Sequence, residues 1–357
     1  MATPRPAGPP PEASPRPRLA LPFAPACLPA PRAGTPVGWR SPGAPGLAPL
    51  PQRAPRELPL ALAAAGFPGL SLDQGRGVVA RQAAERDLGR VGLAYLRAER
   101  AAGAPPAEQA AGVADALRQL DQATHAGLRG ARAELAGPVS LALQLVDEQE
   151  RPLAYEPALR EALVQQVALR AAWLHDQLSA HGGAALVCLD EPFLEALGSP
   201  FAPLDYADGA DLLAQALGDA PAPRGLCVAG TPSWPAVLAL PADVIFFDAY
   251  EHGAGLIQAA GAVSAFLERG GALGWGVVPT EPAALAQERA ATLARRFESN
   301  VEFLAAAGGI DPTLIRGAAL ISTSGGLAHL PPPLASQAAA LCGEVSALLR
   351  AKYQLDQ

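Results

Sequence analysis

The sequence predicts an α/β protein of the (β/α)8 TIM-barrel type, and three observations lead there. Six short apolar segments alternate with helical segments over residues 138–353, the pattern of parallel strands joined by outer helices. Four of the six end in polar residues: Asp190-Glu191, Asp248, Thr280 and Ser322-Thr323-Ser324. In a barrel those ends converge on one mouth, the face where barrel enzymes work. No glycine-rich phosphate loop follows the first segment, which counts against a doubly wound nucleotide-binding sheet.

The elements follow in order. Residues 1–57 hold 17 of the 38 prolines, too dense a spacing for helix, so they predict a disordered Pro-rich N-terminal tail. The barrel is assigned to residues 58–357. Residues 75–136 are rich in Ala, Leu and Arg with helical spacing, broken at Gly103-Ala104-Pro105-Pro106. PVSLALQLV (138–146) is a nearly continuous apolar run and predicts the next strand. A helix then starts at Pro157, carries its apolar stripe on Leu159, Leu163, Val167, Ala171, Leu174 and Leu178, and ends at Gly182-Gly183. The later strands are AALVCLD (184–190), RGLCVA (224–229), DVIFFD (243–248), ALGWGVV (272–278) and AALIST (318–323). Between them the spacing predicts helices at 208–218, after Trp234 and at 254–269. Thr280 is placed to cap a long helix at 281–307, and a last helix spans 333–353.

Charge and composition exclude several classes. Half of the 357 residues are apolar and the formal net charge is −7, which argues against nucleic acid or anionic lipid as partner. No run reaches the roughly 20 apolar residues of a membrane span. The N-terminus lacks the apolar stretch of a signal peptide. The expectation is a cytoplasmic protein acting on a small-molecule substrate. Cys27, Cys188, Cys227 and Cys342 form no C-x-x-C pair and read as reduced, mostly buried thiols.

Four segments can carry chemistry. LDEPF (189–193) sets Asp190 and Glu191 at a strand end; such a pair can hold an ammonium group or divide acid and base roles, because repulsion separates their pKa values. The alternative is a loop acid pair with one member capping a helix. FFDAYEHG (246–253) sets Asp248 at a strand end, with Tyr250 and His252 beyond it as loop residues. RGLCVAGTPSW (224–234) carries Cys227, whose thiolate is a soft metal donor. ISTSGGL (321–327) is a polar, glycine-bearing strand end around Ser324, open to a substrate or simply a turn.

In this order the segments GPVSLALQL, LDEPF, GLCVAGTPSW, ADVIFFDAY, GWGVVPT and ISTSGGL resemble the C-terminal, catalytic domain of cobalamin-independent methionine synthase. The resemblance covers roughly residues 58–350 and extends to the wider barrel superfamily with the uroporphyrinogen decarboxylases. It implies a methyltransferase in which zinc holds a homocysteine-like thiol as the thiolate that attacks a folate-borne methyl group. It further implies that Asp190, with Glu191 beside it, takes the substrate's amino group, and that Gln144, Tyr250 and Ser324 contact substrate. The family's zinc ligands are a histidine and a cysteine at one strand end, an acid on the next strand and a late cysteine. Those positions fall on Cys227, Ala229, Asp248 and Gly325. Cys227 and Asp248 are thus the metal-ligand candidates, and the site is incomplete. The family's opening strand has no clear match, so the first strand is degenerate or supplied by RLALPFA (18–24).

Three functions compete on these grounds: a zinc-type thiol methyltransferase, a metal-free divergent barrel binding an amino-acid-like or other ligand with lyase-like chemistry, and a non-catalytic relative that binds a ligand or a partner.

Overall fold

The computed structural model describes residues 47–49, 59–73, 76–124, 130–180, 184–199 and 202–354. Its strands are β1 (Leu47–Pro49), β2 (Leu70–Asp73), β3 (Arg76–Val79), β4 (Gly130–Ala136), β5 (Val146–Asp147), β6 (Ala184–Glu191), β7 (Arg224–Val228), β8 (Val244–Phe247), β9 (Ala272–Val278) and β10 (Ala319–Thr323). Seven of them form one sheet in the order β1-β4-β6-β7-β8-β9-β10, with every pair parallel. A second sheet joins the β2–β3 hairpin to β5.

Within the large sheet, spatial order follows chain order. Each crossover therefore advances by one strand, which is how a barrel grows. The sheet curls, but among the described residues its first and last strands do not pair with each other. The α/β class and the parallel barrel order are observed; eight closed strands are not. Of the proline-rich segment 1–57, only Leu47–Pro49 is described, and it forms the edge strand β1 beside β4. The candidate first strand at 18–24 lies outside the described residues. No helix among the described residues is long and apolar enough to cross a membrane.

The strand expected at 138–146 is not one. The strand is β4, just upstream, and Pro138–Gln144 is a short helix. Gly137 stays extended as its N-cap and Pro138 takes the first turn, where a missing N–H costs nothing. Pro138 through Ala142 are buried, so the apolar run reflects a helix enclosed all round, which periodicity cannot separate from a buried strand. In β4 the outward residues Ala131, Ala133 and Leu135 join the main core, while Arg132 and Glu134 occupy the other face. That alternation of small apolar and charged residues is what looked helical.

Two predicted helices are each split in two. The segment at 254–269 is Gly253–Gln258 and Ala260–Glu268, and that at 281–307 is Pro282–Gln287 and Ala290–Gly308. Glu281, rather than Thr280, caps the helix at 282, accepting the Ala284 N–H at 2.7 Å. The other strands and helices lie within a few residues of their expected bounds.

The main core fills the space between the outer strand faces and the helices. At its centre runs a column of edge-to-face rings, Trp234, Phe247, Trp275 and Phe297, with centroids 5.2–5.5 Å apart. Such pairs add to the burial energy of large side chains. Phe297 is fully buried, and it ties the helix Ala290–Gly308 to β9. Phe297→Ala is expected to cost about 3–5 kcal/mol in urea unfolding; a loss below about 1 kcal/mol would show that the column does not hold the helix to the sheet.

Candidate functional site

The site is built at the C-terminal ends of β6 to β10. On β6 the neighbours Asp190 and Glu191 point to opposite faces, as successive strand residues must. Glu191 is fully buried on the outer side. Its Oε1 accepts the Val139 N–H at 3.0 Å, and its Oε2 accepts the Ser140 N–H at 2.8 Å and the Ser140 hydroxyl at 2.6 Å. It thereby satisfies orphan donors in the first turn of the helix at 138–144, a task that usually falls to a cap residue of the same segment. A Cβ on Gly137 would lie 2.1 Å from Glu191 Oε1, so a glycine is needed for this approach. Burial pushes the Glu191 carboxyl up to about 8, and the three hydrogen bonds keep it from rising further.

Asp190 faces the barrel interior and is only partly exposed. Burial, with the Glu134 carboxylate beside it, pushes its carboxyl up to about 7, against the lowering pull of Arg132. Arg132 and Glu134 are bonded to each other, and the Arg132 guanidinium sits 4.4 Å from the centroid of the Phe246 ring. This part-buried pair was not expected; the only signal for it is the period-2 alternation in GARAELA. The acids expected to act as a pair are therefore divided: Asp190 belongs to the interior, and Glu191 holds the wall.

The interior continues with Cys188 on β6 and Cys227 on β7. In the sheet register Cys188 lies opposite Gly225, and Asp190 lies opposite Cys227. The Cys188 sulfur leans over β7, 2.2 Å from where a Gly225 Cβ would be. The Cys188 thiol on the neighbouring strand, together with burial, pushes the Cys227 thiol well above its ordinary range.

Asp248 follows β8, one side-chain layer nearer the mouth than Phe246, which pairs with Cys227. Its Oδ1 accepts the N–H groups of Tyr250 and Glu251, both at 2.9 Å, and burial raises its pKa. Tyr250 is clamped from outside. Its hydroxyl donates to Glu288 Oε1 at 3.0 Å, and the Arg296 guanidinium lies 4.1 Å from its ring centroid while donating to its carbonyl at 3.0 Å. Glu288, in the link between two helices, and Arg296, on the second of them, were not anticipated, since charges at such positions carry no mark of such a role.

At the β9 and β10 ends, the Thr280 N–H donates to Ser324 Oγ at 3.2 Å, and the Ser324 N–H to the Val278 carbonyl at 2.7 Å. A Cβ on Gly276 would lie 2.5 Å from the Phe247 carbonyl oxygen and 2.7 Å from that of Thr323, so only glycine lets these strand ends close up. Gln144 is the last residue of its helix and is exposed. His252, which begins the turn into the next helix, is partly buried.

Zinc in a structural site asks for four N, S or O donors. Cys227 and Asp248 supply two, and Ala229 and Gly325 supply none. Among the described residues no group of three or more His, Cys, Asp or Glu side chains is placed to hold a metal ion. The donor set does not fit the zinc site that the resemblance implies.

The class defined by these elements is an incompletely closed parallel β/α barrel with acids, thiols and hydroxyls at its strand ends. No protein-family model matches the chain, and no curated protein sequence matches it. Among solved structures it is similar to a B12-independent methionine synthase from a Shewanella species in complex with selenomethionine, at 14% identity and TM-score 0.47, covering 68% of this chain and 67% of that one. It is similar to a methyltransferase from Methanosarcina mazei at 13% identity and TM-score 0.43, covering 66% of this chain and 64% of that one. A Listeria monocytogenes protein assigned as a vitamin-B12-independent methionine synthase gives 14% identity, TM-score 0.44 and coverage of 66% and 69%.

The raised Asp190 pKa has a stability consequence. The folded state prefers the neutral carboxyl, so its contribution is fully present below about 3.8, the unfolded value, and is lost as pH rises through about 7. Asp190→Asn removes that loss. The variant is expected to match the wild type in denaturant unfolding near pH 4 and to exceed it at pH 8. A difference that does not change with pH would contradict the assignment.

Proposed function

We propose that the chain is a methyltransferase-class barrel protein that holds a small amino-acid-like ligand at its mouth, with the ligand's ammonium group on Asp190. The observation that carries this reading is the state of Asp190: a sheltered carboxyl facing the interior and raised to about 7, with a second carboxylate, Glu134, close by. A cation placed there relieves both the desolvation and the repulsion. The glycine-bearing β9 and β10 ends, with Gly325 and Gly326 exposed beside Ser324, leave backbone open to the rest of the ligand. Tyr250, Ser324 and Gln144 are the candidates to line it.

The reaction that goes with the sequence resemblance is transfer of a methyl group to a homocysteine-like thiol. In that reaction Asp190 orients the acceptor by its amino group, and Glu191 acts only through the wall it holds. Zinc-type activation by Cys227 and Asp248 is not supported by the donor set. That mismatch favours a second reading, a metal-free barrel with lyase-like chemistry or with binding alone.

Calorimetric titration with L-methionine and L-homocysteine tests the binding step. The carboxyl must be ionised to hold an ammonium group, so affinity is expected to weaken by about tenfold for each pH unit below about 7 and to level off above it. Asp190→Asn is expected to abolish both the binding and its pH dependence. Binding that is indifferent to pH, or unchanged in the variant, would contradict the reading. Methyl transfer to homocysteine in the presence of a methyl-folate donor then separates the first reading from the second.

A further inference from the structure

The barrel interior contains a pair of thiols that the reading above does not use. Cys188 sits in a small interior cluster with Leu186, Val244, Phe246, Ala272 and Leu320, and Cys227 packs against it. The two sulfurs come from adjacent strands on one face of the sheet, and the absent side chain of Gly225 leaves the space into which the Cys188 sulfur leans, two residues from Cys227. With a Cβ at that position the Cys188 sulfur could not lean across to β7. Cys188 is fully buried and Cys227 is partly open. Access therefore runs from the mouth, past Asp190 and its register partner Cys227.

We propose that Cys188 and Cys227 form a two-sulfur site for a soft monovalent ion, copper(I) being the probe that fits, in place of the four-donor zinc site of the barrels this sequence resembles. Thiolates are the donors that select copper(I). Two sulfurs from neighbouring strands suit an ion content with few ligands and leave a tetrahedral ion short of donors. On binding, two S–H bonds break, two S–Cu bonds form and two protons leave to solvent. The ion keeps its single charge throughout, and no electrons move. The product carries one net negative charge. Arg132, held over the Phe246 ring in the same interior, faces that charge, although its partner Glu134 opposes it. The apolar cluster encloses the Cys188 sulfur, which favours a weakly hydrated ion over zinc.

The test is anaerobic competition of the full chain with a coloured copper(I) chelator. One equivalent of copper(I) is expected to leave the chelator per chain, with two protons released in a weakly buffered titration. Cys188→Ser and Cys227→Ser are each expected to lose that equivalent, and Cys342→Ser to retain it. An equal concentration of zinc is expected to leave the copper bound. Thermal melting of each variant identifies any that has failed to fold, and Cys188→Ala then replaces Cys188→Ser. Unchanged chelator colour with the wild type, retention of copper by either variant of the pair, or displacement by zinc would overturn the proposal. None of these outcomes depends on Asp190, so the site stands or falls separately from the ligand reading.

Discussion

The geometry of this barrel depends on one carboxyl group reaching between elements. Glu191 leaves the end of β6 on its outer side and accepts the first-turn donors of the helix that follows β4. Two neighbouring β/α units are thereby locked at the mouth. Removing the acceptor would leave buried N–H groups without partners, at about 1–3 kcal/mol each. Since strand residues alternate, fixing Glu191 outward also fixes Asp190 inward. The interior acid owes its orientation to its neighbour's structural duty.

The interior is unusual in what it encloses. Arg132, Glu134, Asp190 and the two thiols share a face whose other members are small or apolar. Burying charge is costly unless it is paired, and here the arginine has both Glu134 and the Phe246 ring. At Asp190 burial and the repulsive Glu134 carboxylate outweigh the pull of Arg132, and its proton affinity rises. A site with surplus negative character at neutral pH follows from this unequal pairing. Farther out, the clamp of Glu288 and Arg296 on Tyr250 steadies the turn that holds Asp248.

Most of the strand and helix order could be read from periodicity, because β6 to β10 are short apolar runs bounded by turn residues and their helices carry regular stripes. β4 could not be read that way: its inward face is charged, and an Ala/Arg/Glu/Leu mixture has helical composition. The helix after it could not either, since a segment enclosed on all sides shows no periodicity to read. At the site, the sequence points to Asp190, Cys227 and Asp248 as strand-end residues. It does not show that β6 runs on through Glu191 and so turns the two acids to opposite faces, since the groups that hold Glu191 there, at Ser140 and beside Gly137, lie about fifty residues upstream. Nor does it show the meeting of Cys188 and Cys227, which turns on Gly225. Both misses are tertiary contacts between residues that nothing in the local sequence relates.

The central claim is that Asp190 is an inward-facing carboxyl which burial keeps close to half-protonated at neutral pH and which a ligand's ammonium group can ionise. Carbon-13 NMR of aspartate-labelled protein, with Asp190→Asn to assign the signal, measures this directly. The account predicts that the Asp190 carboxyl titrates near 7 in the free protein and well below that once an amino-acid ligand is bound. An Asp190 signal that titrates in the ordinary carboxylate range, with or without ligand, would contradict it.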